Sequence, residues 1–272
     1  MNRIYVDAYK TYGLGHLIRT RTIAKEFGEY KESINNFLAK KADIAIVDSY
    51  KAKYLHYKKI SKLSKKVIFL DDYNRIEYPR GVLVNMAFNA KKIVKQKNTI
   101  NLLGIDYVPI RDEFLNMKSS EKKHILIILG GLDVKNLSCE IEKLSFDFLV
   151  VTANKQIAKK CKNVLFNPSA KTLAKAFSES ILAISAAGMS LYELNYLKIP
   201  TIAIKVAKNQ KGVYEFKKRG FIKDIFEKID IKELEKSIKW HLNNYDKVLN
   251  KYTKRLIDGY GAKRIKKAVE KL

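Results

Sequence analysis

Ile4-Tyr5-Val6-Asp7-Ala8-Tyr9-Lys10-Thr11-Tyr12-Gly13-Leu14-Gly15-His16-Leu17-Ile18-Arg19 opens as a β-branched apolar run, crosses a polar turn holding two glycines, and resumes with apolar residues at helical spacing. A buried strand, a glycine turn and a helix start are expected in that order. Backbone N–H groups at such a helix start point outward and tolerate an anion, and Gly13 and Gly15 let a ligand approach the main chain closely. The pattern differs from the dinucleotide fingerprint G-x-G-x-x-G, because Ile18 stands at the third glycine position and His16 follows the second glycine.

Outward from this turn the same unit recurs. Apolar runs at 4–6, 44–47, 67–70, 82–85, 125–129, 148–152, 181–184 and 201–204 read as buried parallel strands. Stretches at 17–27, 50–63, 137–144, 171–178 and 191–197 carry apolar residues on one helical face, and a further helix is expected over 31–40. The alternation indicates an α/β protein. The polar segment Ser119-Ser120-Glu121-Lys122-Lys123 places the boundary near 117–121, dividing 1–118 from 119–272. The tail 231–272 is helical by pattern and is expected to pack back on the first domain, with Trp240, Leu242, Val248 and Leu249 as buried anchors.

The chain has 272 residues, 47% of them hydrophobic and 30% charged, enough to bury real cores and too ordered in pattern for a disordered tail. Four prolines and twelve glycines leave no room for a low-complexity linker, and no repeat period is present. Cys139 and Cys161 are too few for a disulfide framework and read as small core residues in a reducing compartment. The first residues contain no signal-peptide run and no stretch nears the ~20 apolar residues of a bilayer span, so a soluble cytoplasmic protein is expected. Lys and Arg number 54 against 28 acidic residues, a net charge of +26. The lysines run along nearly the whole chain instead of clustering, which argues against specific nucleic-acid binding and leaves an acidic substrate, an anionic lipid surface or compositional bias as explanations.

His16 reads in two ways. It is either a helix-start residue satisfied by backbone or water, or a general base facing the cleft, held neutral by the helix N-terminus. Arg19, one turn on, could orient a substrate or pair with a carboxylate. In the second half, Ser185-Ala186-Ala187-Gly188-Met189-Ser190 ends a strand and starts a helix, where a diphosphate would lie on N–H groups. Glu193 could cap that helix or accept hydrogen bonds from both ribose hydroxyls. Gly131 could pass its backbone near phosphate or simply turn the chain. Asn209 and Gln210 follow the next strand, at the end where open α/β sheets bind ligands. Asp48, Tyr50, Asp71 and Asp72 follow strands of the first half and could contact substrate or cap the next element, while Arg111 could touch ligand or support the domain junction. His56, His124 and His241 are scattered without ligand spacing, so no metal site is expected.

Gly13-x-Gly15-His16-x-x-Arg19, Asp48-x-Tyr50, Asp71-Asp72, Asn85 and Arg111-x-x-Phe114 together resemble the hydrolases of pseudaminic acid biosynthesis that act on UDP-2,4-diacetamido-2,4,6-trideoxy-β-L-altropyranose. Gly130-Gly131-x-Asp133, Asn136-Leu137, 185–193, Asn209-Gln210 and Asp258-Gly259-x-Gly261-Ala262-x-Arg264 continue the likeness in order. The resemblance implies a glycosyltransferase-B (GT-B) fold similar to MurG, two Rossmann-like domains facing a cleft that holds the sugar nucleotide, with no cofactor and no metal. It implies His16 as the catalytic base for water attack at the anomeric carbon with inversion. Asp7, Gly13, Gly15, Arg19, Tyr50, Asp72, Asn85, Gly131, Ser185, Ala187, Gly188, Met189, Ser190, Glu193, Asn209 and Gln210 would bind the UDP-sugar. Two departures stand out: Tyr5 and Val6 replace an arginine ahead of Asp7, and the interval 27–44 is short, which predicts an N-terminal sheet narrower by about two strands, as ordinary connection lengths dictate. A MurG-like transferase and a non-catalytic basic binding module remain alternatives, and oligomeric state is open.

Overall fold

The computed structural model describes every residue except 9–13, 119, 132, 134–135, 208–209 and 272. The chain forms two compact units, Met1–Ile110 with Asp258–Leu272, and Arg111–Ile257. In the first, strands β1 (Asn2–Val6), β2 (Tyr30–Ile34), β3 (Ala42–Asp48), β4 (Ser64–Leu70), β5 (Gly81–Asn85) and β6 (Thr99–Leu103) make one parallel sheet in the order β2-β1-β3-β4-β5-β6. In the second, β7 (His124–Ile128), β8 (Phe148–Thr152), β9 (Val164–Phe166), β10 (Ser180–Ala186), β11 (Thr201–Ile204) and β12 (Ile225–Phe226) make another, ordered β12-β11-β10-β7-β8-β9.

The helices are α1 (Gly15–Lys25), α2 (Tyr54–Lys62), α3 (Ala90–Ile93), α4 (Asp112–Leu115), α5 (Leu137–Ile141), α6 (Lys155–Lys160), α7 (Ala170–Ser178), α8 (Met189–Tyr196), α9 (Val213–Lys218), α10 (Ile231–Asn243), α11 (Tyr245–Tyr252) and α12 (Gly261–Glu270). Parallel strands need helical crossovers, and those crossovers bury both sheet faces. Tyr57, Ile60, Phe69 and Tyr78 accordingly fill one face of the first unit, and Ile127, Val150, Ile184 and Ile238 belong to the core of the second.

The expected helix over 31–40 is instead strand β2. Its register against β1 runs from Asn2↔Tyr30 to Val6↔Ile34. The lysines and glutamate there suit a helix, but pairing with β1 overrides that weak preference, and Gly28 at φ +87° turns the chain into the strand. β2 occupies part of the interval from which strands were expected to be missing, and among the described residues each sheet has six strands.

Cys139 and Cys161 are not separate core thiols: they form a disulfide within the second unit, with Cα atoms 5.2 Å apart. Of the four expected tail anchors only Val248 is fully buried: Leu242 is partly buried against the core of the second unit, Leu249 is 39% exposed, and Trp240 is half-buried with the Lys223 and Lys247 ammonium groups 4.3 and 5.7 Å from its ring. Leu234, Ser237, Ile238, His241 and Val248 are the buried residues on those helices.

The tail motif has a geometric reason. Arg264 donates to both oxygens of Asp258, at 2.8 and 2.5 Å, and to the Asp106 carbonyl at 3.0 Å. A Cβ on Gly261 would lie 2.1 Å from the Val108 carbonyl oxygen, so only glycine lets α12 sit this close to the Ile105–Tyr107 turn of the same unit.

Candidate active site

Carboxylates follow three strands of the first sheet, and the structure gives each a different task. Asp7, fully buried after β1, accepts through Oδ2 from the Ser49 hydroxyl and the Tyr50 amide at 2.8 Å and from the Lys51 amide at 3.2 Å. It thereby holds the turn that carries Tyr50. Asp71, after β4, accepts from the amides of Tyr73 and Arg75 and from the Tyr78 hydroxyl, which fixes its own loop.

Asp48, at the end of β3, works differently. Its Oδ1 lies 2.6 Å from His16 Nδ1, and its carboxylate accepts from Arg19 Nε at 2.6 Å, Arg19 Nη2 at 2.8 Å and Thr20 Oγ1 at 3.2 Å. Burial would raise its pKa, but Arg19 and His16 overcome that and hold it well below the usual carboxylate range. Arg19 also donates to both oxygens of Asp72 through Nη1, at 2.9 and 3.1 Å. Burial opposes its charge, and Asp48 and Asp72 more than restore it. Tyr50 donates its hydroxyl to Asp72 Oδ2 at 2.5 Å, and its ring meets the His16 imidazole edge-on at 4.6 Å. Burial and the Asp72 charge push the Tyr50 hydroxyl pKa upward, so it stays a donor.

This network fixes the imidazole. Arg19 Nη2 is 3.1 Å from His16 Nδ1, but it can only donate. The shorter Asp48 contact therefore assigns the proton to Nδ1, which leaves the lone pair on Nε2. Sequence points to the helix N-terminus as the group governing this ring; the structure adds a buried carboxylate 2.6 Å away.

In the second unit, the proposed cradle is partly used internally. The Ala187 amide donates to Ile204, the Gly188 amide to Ala186, and the buried Ser185 hydroxyl to the Ala186 carbonyl. That leaves Met189 and Ser190 as the first amides of α8, where a helix has no partners of its own. A Cβ on Gly188 would meet nothing within 4 Å, so the backbone there faces open space. Glu193, 3% exposed, accepts from Arg111 Nε at 2.6 Å and Nη2 at 2.8 Å.

No family model matches the chain. MurG of Acinetobacter baumannii superposes on 100% of this chain and 99% of its own, with a TM-score of 0.61 at 12% identity. A UDP-GlcNAc 2-epimerase of Neisseria meningitidis, solved bound to UDP-GlcNAc, does so over 100% of both chains, with a TM-score of 0.56 at 9% identity. The fold is GT-B. Among curated proteins, the Helicobacter pylori pseudaminic acid cytidylyltransferase and UDP-2,4-diacetamido-2,4,6-trideoxy-beta-L-altropyranose hydrolase is 26% identical over 259 residues, covering 86% of this chain and 49% of that protein. The uncharacterized protein MJ1062 of Methanocaldococcus jannaschii is 26% identical over 275 residues, covering 78% of this chain and 57% of its own. The chain thus spans about half the length of the curated relatives it matches.

Within each GT-B unit the expected site residues can now be placed. His16 and Arg19 bond Asp48 directly, Asp72 joins through Arg19 and Tyr50 through Asp72, while Asp7 holds the turn that carries Tyr50. Gly15 is the first residue of α1. Asn85, fully buried, accepts from the Ala87 amide through Oδ1; its Nδ2, like Asp7 Oδ1, is buried with no partner among the described residues. Gly131 accepts from the Ala153 amide, and Gln210 Oε1 closes its own loop by accepting from Val206 and Ala207. Gly13 and Asn209 lie outside the described residues.

Asn35 is absent from the sequence expectations. At φ +54°, it bonds both the amide and the carbonyl of Ala8, at 3.2 and 3.0 Å, and so fixes the backbone just after β1. An asparagine just after β2 is its signal, legible only once β2 is known to be a strand.

Proposed function

We propose that this chain hydrolyses a UDP-linked sugar, releasing UDP and the free sugar. Asp48 keeps the proton on Nδ1 of His16, so Nε2 accepts a proton from water. The water oxygen attacks the anomeric carbon from the face opposite the diphosphate. The C–O bond to UDP breaks, its electron pair leaves with the diphosphate, and the anomeric configuration inverts. The proton gained by His16 makes an imidazolium, which the Asp48 charge stabilises as it forms.

The second unit contributes the Met189 and Ser190 amides toward the diphosphate and Glu193 toward the ribose. On the sugar side, Asp7 Oδ1 and Asn85 Nδ2 are buried polar atoms without partners among the described residues, and a polar substrate or water would satisfy them. A diacetamido-trideoxy sugar of pseudaminic acid biosynthesis is the proposed substrate, supported by the 26% identity to the Helicobacter pylori protein. The single observation carrying the chemistry is the 2.6 Å contact between His16 Nδ1 and a carboxylate that Arg19 keeps charged.

The test is incubation with UDP-sugars and no acceptor. Stoichiometric UDP release, with the inverted anomer appearing first by NMR, is the expected result. UDP release only on adding an acceptor sugar or lipid would make the protein a transferase. UDP binding without turnover would leave a binding module.

A further inference from the structure

We infer that Arg111 is a positioning residue that aims the Glu193 carboxylate at the vicinal hydroxyls of a ribonucleotide, so that this chain distinguishes ribo- from deoxyribonucleotides. The inference rests on the nucleotide-sugar reading above and deepens it.

Arg111 and Glu193 are 82 residues apart in sequence, yet meet as a two-pronged pair inside one unit: Nε to Oε1 at 2.6 Å, Nη2 to Oε2 at 2.8 Å. The arginine is itself held. Its guanidinium lies 4.6 Å from the Phe114 ring centre, and Phe114, fully buried, packs edge-on against Phe177 at 5.2 Å. The plane of the guanidinium is therefore set by an aromatic pair, and a planar fork transmits that plane to the carboxylate it grips.

A carboxylate offers about four acceptor positions, two on each oxygen. Arg111 takes one on each. Among the described residues no other side chain or amide donates to the Glu193 carboxylate. One acceptor position per oxygen is left, side by side, and both oxygens are tied so that neither can rotate away. Two adjacent acceptors at fixed spacing match two adjacent hydroxyl donors. Glu193 stands one turn into α8, whose first amides would receive the diphosphate, so the sugar next to that diphosphate is the one within reach. A plain packing ion pair would need only to neutralise Glu193, which a lysine can do. An aimed carboxylate needs the fork.

The experiment measures dissociation constants by calorimetry for UDP and 2′-deoxy-UDP, on the full chain, in wild type, Arg111→Lys, Arg111→Gln and Glu193→Gln. Wild type is expected to bind UDP about tenfold more tightly than 2′-deoxy-UDP, the worth of one hydrogen bond to a charged acceptor. Arg111→Lys keeps the charge and is expected to fold, with the ratio reduced to about twofold. Arg111→Gln and Glu193→Gln, checked for folding by circular dichroism, are expected to lose the ratio. If wild type prefers UDP and Arg111→Lys retains the full preference, Arg111 merely neutralises Glu193 and the inference fails. Equal binding of both ligands by wild type also overturns it, while leaving nucleotide binding standing. If wild type binds neither, the functional reading fails first and the inference with it.

Discussion

Replacing Asp48 by Asn tests the proposed chemistry most directly, because the structure says what the substitution does to both charge and protons. Asp48 is fully buried and accepts from His16, from two nitrogens of Arg19 and from Thr20. Asparagine keeps one oxygen and puts an NH2 group where the other was. If the oxygen stays on Arg19, the NH2 faces His16 Nδ1, which must then accept. The imidazole proton moves to Nε2, the atom proposed to take a proton from water. A wrong tautomer of this kind costs a rate factor on the order of 10⁴.

Stability falls as well. Removing one member of a buried ion pair costs about 3–5 kcal/mol, and the lower end applies because Asp72 still holds Arg19. In a protein of this size that lowers the melting temperature by roughly 10 °C. His16→Ala, in contrast, removes the base but leaves the Asp48–Arg19 pair, so activity is lost with a much smaller change in melting. The assay pairs steady-state UDP release with a thermal melt. If Asp48→Asn turns over within tenfold of wild type while His16→Ala is dead, Asp48 does not set the tautomer, and the dyad reasoning is refuted.

Other outcomes follow from the same structure. Gly261→Ala puts a methyl group against the Val108 backbone, which cannot yield as a side chain would, and is expected to cost about 3 kcal/mol in denaturant unfolding; a change below about 0.5 kcal/mol would show that α12 is not held this closely. Burial lowers the pKa of His241, with the Ser237 carbonyl and Asp224 opposing and Lys223 adding to the effect; burial likewise lowers that of His124. A histidine whose folded pKa is depressed contributes fully above its unfolded value, and its contribution is lost as pH falls below about 6.5. The urea midpoint is therefore expected to hold from pH 8 to 7 and fall below that, and His241→Leu should flatten part of the slope; an unchanged slope would remove His241 as its source. Reducing the Cys139–Cys161 disulfide, whose cysteines are separated by 22 residues, is expected to cost about 3 kcal/mol in chain entropy, read as a shift in the urea midpoint with and without reductant.

Both the fold and the site divide between what local sequence carries and what only assembly creates. Among the described residues, β1, β3, β4 and β5, and β7, β8, β10 and β11, are the inner strands of the two sheets, and each appears in the sequence as an apolar run. β2, β6, β9 and β12 are the edges, and none was among the expected strands: β2 and β6 carry polar residues, and β9 and β12 are apolar but only three and two residues long. An inner parallel strand is covered on both faces and must be apolar throughout, whereas an edge strand has one paired neighbour and tolerates polar residues. Tyr-Lys-Glu-Ser-Ile of β2, with its lysine and glutamate exposed, shows how such a strand escapes notice.

The α/β layering, the inner strands and the histidine at a helix start were thus legible in residues close together in the chain, since strand burial and helical spacing act over a few positions. The tertiary structure alone decided what those residues touch. Asp48 reaches His16 and Arg19 across 32 and 29 residues, and Arg111 reaches Glu193 across 82. The sequence names each carboxylate and each cation, but an ion pair depends on distance and burial, and these exist only once the parallel sheets bring separate strand ends side by side.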